Sequence, residues 1–283
     1  YNEANDRFYE TGDTTFKPGR GYAVRAESGT NIDTGSPFPN PYDKTYNFRG
    51  TPNNGDISWP IVSTGLTHGY NLVGNPYPSN INFDELYAGN SSLIYSTAWF
   101  WTNNVFEPLQ QGSNYAGNNY AVYNGTGGNP ATYSPTQPYT GGLIPNGIIK
   151  VGQGFLIQKK VVGSGNLDFK HIYPLGNGNN LRVTTSGTFF QKGMTPKNRF
   201  WIKLISPEQL ANTQLIGYIP GATDGYEQDF DAEILGMSSD VFYSNVIDKK
   251  LLIQGKVEAF TPEDKVTLGA NFFQNGTYKI ELD

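Results

Sequence analysis

The chain repeatedly cuts its apolar residues into runs of strand length and closes each run with glycine, asparagine, proline or aspartate. GYAVRA (Gly21–Ala26), GFLIQKKVV (Gly154–Val162), NLDFKHI (Asn166–Ile172), RFWIKLIS (Arg199–Ser206) and QLIGYIP (Gln214–Pro220) are of this kind. So are KLLIQGKV (Lys250–Val257), KVTLGA (Lys265–Ala270) and TYKIEL (Thr277–Leu282). Several alternate with period two, so that Phe200, Ile202 and Leu204 take one side of a strand and Trp201 and Lys203 the other. Helical spacing is scarce. NFDELYAG predicts a turn or two of helix with Asn82 as its cap and Gly89 as its stop, and SPEQLAN predicts a single turn. Such a pattern commits the chain to an all-β fold with very little helix.

Composition agrees. Only 16% of the residues are charged, 14% are aromatic, and 34 glycines and 18 prolines supply the turns. Disordered chains lack this aromatic content, so the expectation is tandem β-sandwich, jelly-roll-like modules with long polar loops. At 283 residues there is room for two or three such units. We place the end of an upstream module at 1–62, a sandwich at 63–190 and a C-terminal sandwich unit at 191–283. An internal echo supports the division: KPGRGYAVRA (Lys17–Ala26) resembles KVGQGFLIQKK (Lys150–Lys160), and each precedes a second run with a central phenylalanine, Phe48 or Phe169. The chain begins at Tyr1 without Met and ends on a strand pattern, which reads as an excerpt of a longer or processed protein.

The net charge of −5 leaves no electrostatic footprint for nucleic acid. No apolar run approaches the ~20 residues of a membrane span. With no cysteine, disulfides, thiolate metal sites and cysteine nucleophiles are excluded. The two histidines, His68 and His171, accompany no nucleophile motif, and a surface or hydrogen-bonded role suits each better than catalysis. Gly19-Arg20-Gly21 and Gly152-Gln153-Gly154 lead into strands. A dinucleotide loop must open a helix, so these glycines are read as places of close backbone approach.

Two stretches carry candidate chemistry. The run GATDGYEQDFDAEIL holds Asp224, Glu227, Asp229 and Asp231, carboxylates of the kind a calcium ion takes. Its spacing is not that of an EF-hand, and solvated turn acids are the competing reading. The run YSTAWFWTNNVF, followed by a glycine-rich polar stretch from Asn103 to Pro145, offers Trp99, Trp101, Tyr120 and Tyr123 as a sugar-stacking surface. Core packing competes there, because alternation buries either Phe100 or the two tryptophans.

The stretch GYNLVGNPYPSNINFDEL is a corner. Pro76 and Pro78 fix φ and remove donors, so a strand cannot continue through Asn75–Ser79. Taken in order, this stretch, AWFWTNN, IPNGIIKVGQGFLIQ, NRFWIKL and YEQDFDAEIL resemble the large proteins that Bacteroidetes export through the type IX secretion system. The likeness runs from Leu66 to Asp283, with the upstream GRGY also matching. It implies a secreted or cell-surface, adhesin-like protein that meets the type IX machinery during export and an extracellular glycan or cell-surface component afterwards. It carries no catalytic residues. The expectation is therefore a non-catalytic surface adhesin or stalk module. A carbohydrate-active enzyme or its carbohydrate-binding module is the alternative, with the four acids as its candidate chemistry.

Overall fold

A computed structural model describes residues 1–24, 47–102, 119–135, 142–170, 181–183, 198–236 and 240–282. The chain is all-β. Its single α-helix among the described residues is α1 (Phe83–Asn90), and Asn82 caps it as the sequence predicts, its Oδ1 accepting from the Asp84 amide at 2.8 Å. Ser206–Leu210 forms a turn and not a helix, closed by the Gln209 amide donating to the Ser206 carbonyl.

The described strands fall into four sheets. β1 (Ile57–Ser63) pairs antiparallel with β9 (Gly163–Phe169) over its whole length. β3 (Asn80–Asn82) lies between β7 (Ile148–Ile149) and β10 (Arg182–Val183). A five-stranded antiparallel sheet runs β2 (Tyr70–Gly74), β8 (Gly154–Lys159), β4 (Ile94–Trp101), β5 (Tyr120–Asn124), β6 (Gly127–Asn129). The largest sheet runs β16 (Leu268–Asn271), β14 (Val241–Val246), β15 (Lys249–Val257), β12 (Ala211–Ile219), β11 (Asn198–Ile205), β17 (Lys279–Leu282). Its seventh strand, β13 (Ala232–Glu233), adds to β15. Among the described strands only β12 and β15 pair in parallel.

The five-stranded sheet is covered on both faces. On one side Ala98, Phe100, Phe155 and Ile157 pack with Phe83 and Leu86 of α1 and with Leu167 and Phe169 of β9. On the other, Trp99, Val122 and Leu156 meet Leu215, Ala232 and Ile253 of the largest sheet. Residues from 63–190 and from 198–283 thus share one core. The expected division at 62/63 falls inside β1, and that at 190/191 lies outside the described residues. β1 passes through Pro60, which a central strand would not tolerate. Here it pairs with Asn166 in a two-stranded ribbon, where one edge needs no donor.

Coverage on both sides also corrects the aromatic reading. Alternation along β4 offers Phe100 or the tryptophans to a core; the structure buries Phe100 at 1% exposure and Trp99 at 3%, in different cores. A sheet buried on both faces loses the polar half of its alternation.

Candidate functional site

NPYPS and VGQGF come together at the end of β2. Asn75 is buried, and its Nδ2 donates to the carbonyls of Ser79 at 2.8 Å and Lys150 at 3.0 Å, while its Oδ1 accepts from the Tyr77 amide at 3.0 Å. Its own amide donates to the Gln153 carbonyl at 3.0 Å. Gln153 Oε1 in turn accepts from the Lys150 amide. Tyr77 is buried beneath the Arg182 guanidinium, with its hydroxyl 2.7 Å from the carbonyls of both Gly55 and Phe169. The echoed glycines flank the same strand. Gly74 pairs with Gly154 on one side, and on the other the Gly21 amide donates to the Leu72 carbonyl. A Cβ on Gly21 would lie 2.6 Å from the Val73 carbonyl oxygen, so no other residue fits. The motif residues therefore hold backbone together, and the corner is architectural.

The four acids do not converge. Asp224 pairs with Lys256 at 2.6 Å. Glu227 accepts from the Thr223 amide at 2.7 Å, closing its own turn. Asp229 reaches the other way, to Lys160 at 3.1 Å and to the Ser96 amide at 3.2 Å, and its carbonyl accepts from the Ser96 hydroxyl. Lys160 also lies over the rings of Tyr87 and Tyr95. Asp231 is buried at 2% exposure, accepting from the amides of Glu227 at 2.6 Å and Gly255 at 2.8 Å. Burial pushes its carboxyl up to about 6, against the pull of those two donors toward the ionised form. Among the described residues no three acids or histidines are grouped to hold a metal ion. Lysines and amides, most of them distant in sequence, take up the four carboxylates separately, so the described residues add no grouped ligand set to the calcium expectation.

The aromatic candidates divide. Trp99 is core, stacked edge-on against Tyr70. Tyr123 is core too, its hydroxyl donating to Asp84 at 3.0 Å; burial and the neighbouring Asp84 raise it well above the ordinary tyrosine range. Trp101 is 42% exposed and lies opposite Tyr120 in the ladder, their ring centroids 5.1 Å apart. Of the four aromatic candidates, these two form the surface pair, at the rim between the five-stranded and seven-stranded sheets. Tyr120 also lines a notch there, with Pro130, Thr132, Asn212 and Thr213. None of these four partners stood out in the sequence. For Asn212 and Thr213 the signal is Asn212-Thr213-Gln214, three polar residues in succession within β12, all buried. His68 is half-buried, its Nδ1 3.4 Å from Asp6 Oδ2. His171 lies outside the described residues.

An all-β chain of stacked sheets, with its conspicuous motifs in backbone contacts and a small aromatic-and-polar rim, defines the class of this protein. It belongs to a family described as a domain of unknown function (DUF8693), whose model matches residues 1–283. No curated protein and no solved structure matches the chain. Among the described residues no helix is long and apolar enough to cross a membrane.

Proposed function

We propose that the chain is a non-catalytic module of a bacterial secreted or cell-surface protein, an adhesin or the stalk of one, exported by the type IX route. The observation that carries this reading is the lock between the two marker motifs. Asn75 of NPYPS binds the turn that opens GQGF, which gives both motifs a scaffold role in this chain. The likeness to type IX-exported proteins supplies the location. A core continuous across the two larger sheets supports use as a rigid spacer. Antibody labelling and protease shaving of intact cells test the reading. The expected result is surface-exposed or released protein, and recovery in the cytosolic fraction alone would refute it.

A second reading, a carbohydrate-binding module, is favoured by one observation: the half-exposed Trp101 beside Tyr120. Retention on immobilised polysaccharide, without turnover, is its direct test.

A further inference from the structure

We infer that the rim at Trp101 and Tyr120 is a subsite for a neutral saccharide, with the sugar ring on the indole and one of its hydroxyls, directly or through a water, in the notch beside Tyr120. The notch is a small cavity of about 10 Å³, room for a single water or a single hydroxyl. Its polar lining comes from Thr132, Asn212 and Thr213, which are 5%, 6% and 4% exposed. Every polar side chain on this wall is uncharged. The Thr132 hydroxyl donates to Asn212 Oδ1 at 2.6 Å. Thr213 Oγ1 is buried with no hydrogen-bond partner among the described residues.

That orphan hydroxyl is the pointer to a ligand. Leaving a buried polar group unpaired is costly, and an apolar side chain of the same shape would avoid the cost. A threonine held there suits a partner that arrives from outside. Neutral hydroxyls and an amide match sugar hydroxyls, where an anionic ligand would call for lysine or arginine. The electron-rich face of an indole suits the C–H face of a pyranose ring. Tyr120 belongs to both halves of the site, packing on Trp101 and lining the notch, so ring and hydroxyl can be met by one ligand.

This inference names a ligand class for the proposed surface module and rests on that reading only for its setting. Surface exposure can hold while binding fails, so the two fail separately. The test uses the full chain with a panel of cello-, xylo-, manno- and chito-oligosaccharides, read by calorimetry and by tryptophan fluorescence. Weak binding of at least one probe is expected. Trp101→Ala should weaken it about tenfold or more, and Thr213→Val by roughly three- to tenfold. Thr213→Val should also leave the melting temperature unchanged or higher, because it removes an unpaired buried hydroxyl, and that separates lost binding from lost folding. Phe260→Ala, an exposed ring packed on Tyr218, should bind as the parent does. Binding of no probe overturns the inference. So does binding that survives Trp101→Ala, or that falls with Trp101→Ala but not with Thr213→Val.

Discussion

Replacing Asn75 with alanine should cost more than its one polar side chain suggests. The substitution removes two donor bonds, to the carbonyls of Ser79 and Lys150, worth about 1 kcal/mol each in net terms. It also strands the Tyr77 amide, which is buried and bonded to Asn75 Oδ1, at a further ~1–3 kcal/mol. The total is about 3–5 kcal/mol. At ~2–4 °C per kcal/mol for a chain of this size, the melting temperature should fall by roughly 10 °C. Scanning fluorimetry and urea unfolding read this directly. Asn75→Asp sharpens the test because it preserves shape and reverses polarity. At neutral pH its carboxylate faces two carbonyl oxygens, which raises its folded pKa above the unfolded value. Its deficit should therefore be largest near pH 7 and narrow as the pH falls toward the carboxylate range, where a proton restores one donor. If Asn75→Ala melts within 2 °C of the parent, or if the Asn75→Asp deficit is flat with pH, the claim that this amide locks the two motifs is wrong.

Other outcomes follow from the same geometry. Asp231, with its folded pKa raised from 3.8 to about 6, keeps its proton to higher pH in the folded state than in the unfolded. Its contribution is thus fully present below pH ~4 and is lost as pH rises to about 6, a change of roughly 3 kcal/mol. A carboxyl-carbon NMR titration should place its midpoint near 6, and Asp231→Asn should remove that pH dependence while leaving one of its two amide donors unpaired. Gly128→Ala should abolish soluble folding or cost at least ~3 kcal/mol, since its Cβ would stand 2.0 Å from the Pro145 carbonyl oxygen; recovery of soluble protein with parental melting would contradict this. Millimolar calcium and chelator should give the same melting temperature within about 1 °C, because the four acids of the Asp224–Asp231 run are occupied separately. A larger rise with calcium would show that they rearrange into a site.

What could be read from residues alone was local. Asn82 caps α1 because a cap needs only the side chain and an amide two residues on. NPYPS ends β2 because proline removes donors whatever surrounds it. The strand runs near the C-terminus were legible to within a few residues, as at Lys249–Val257 and Lys279–Leu282. Less legible were strands whose composition argues against them: Ile57–Ser63 carries Pro60, and Gly127–Asn129 is two glycines and an asparagine. Of the candidate site, the sequence pointed to Trp101 and Tyr120. It did not distinguish them from Trp99 and Tyr123, and it gave Thr213 no prominence.

The sequence by itself determined the all-β character, the Asn82 cap of α1 and the rigid corner at Asn75–Ser79, because strand-length runs, caps and prolines act through neighbours along the chain; the helical turn it also predicted at Ser206–Asn212 did not form as a helix. Only the tertiary structure decided what covers each face of β4, that Asn75 reaches Lys150, and that the acids separate to Lys256, Lys160 and the Gly255 amide. Alternation tells which side chains share a face and nothing about what lies opposite. Hydrogen bonds and ion pairs go to whichever group folding brings near, and here those groups come from dozens of residues away.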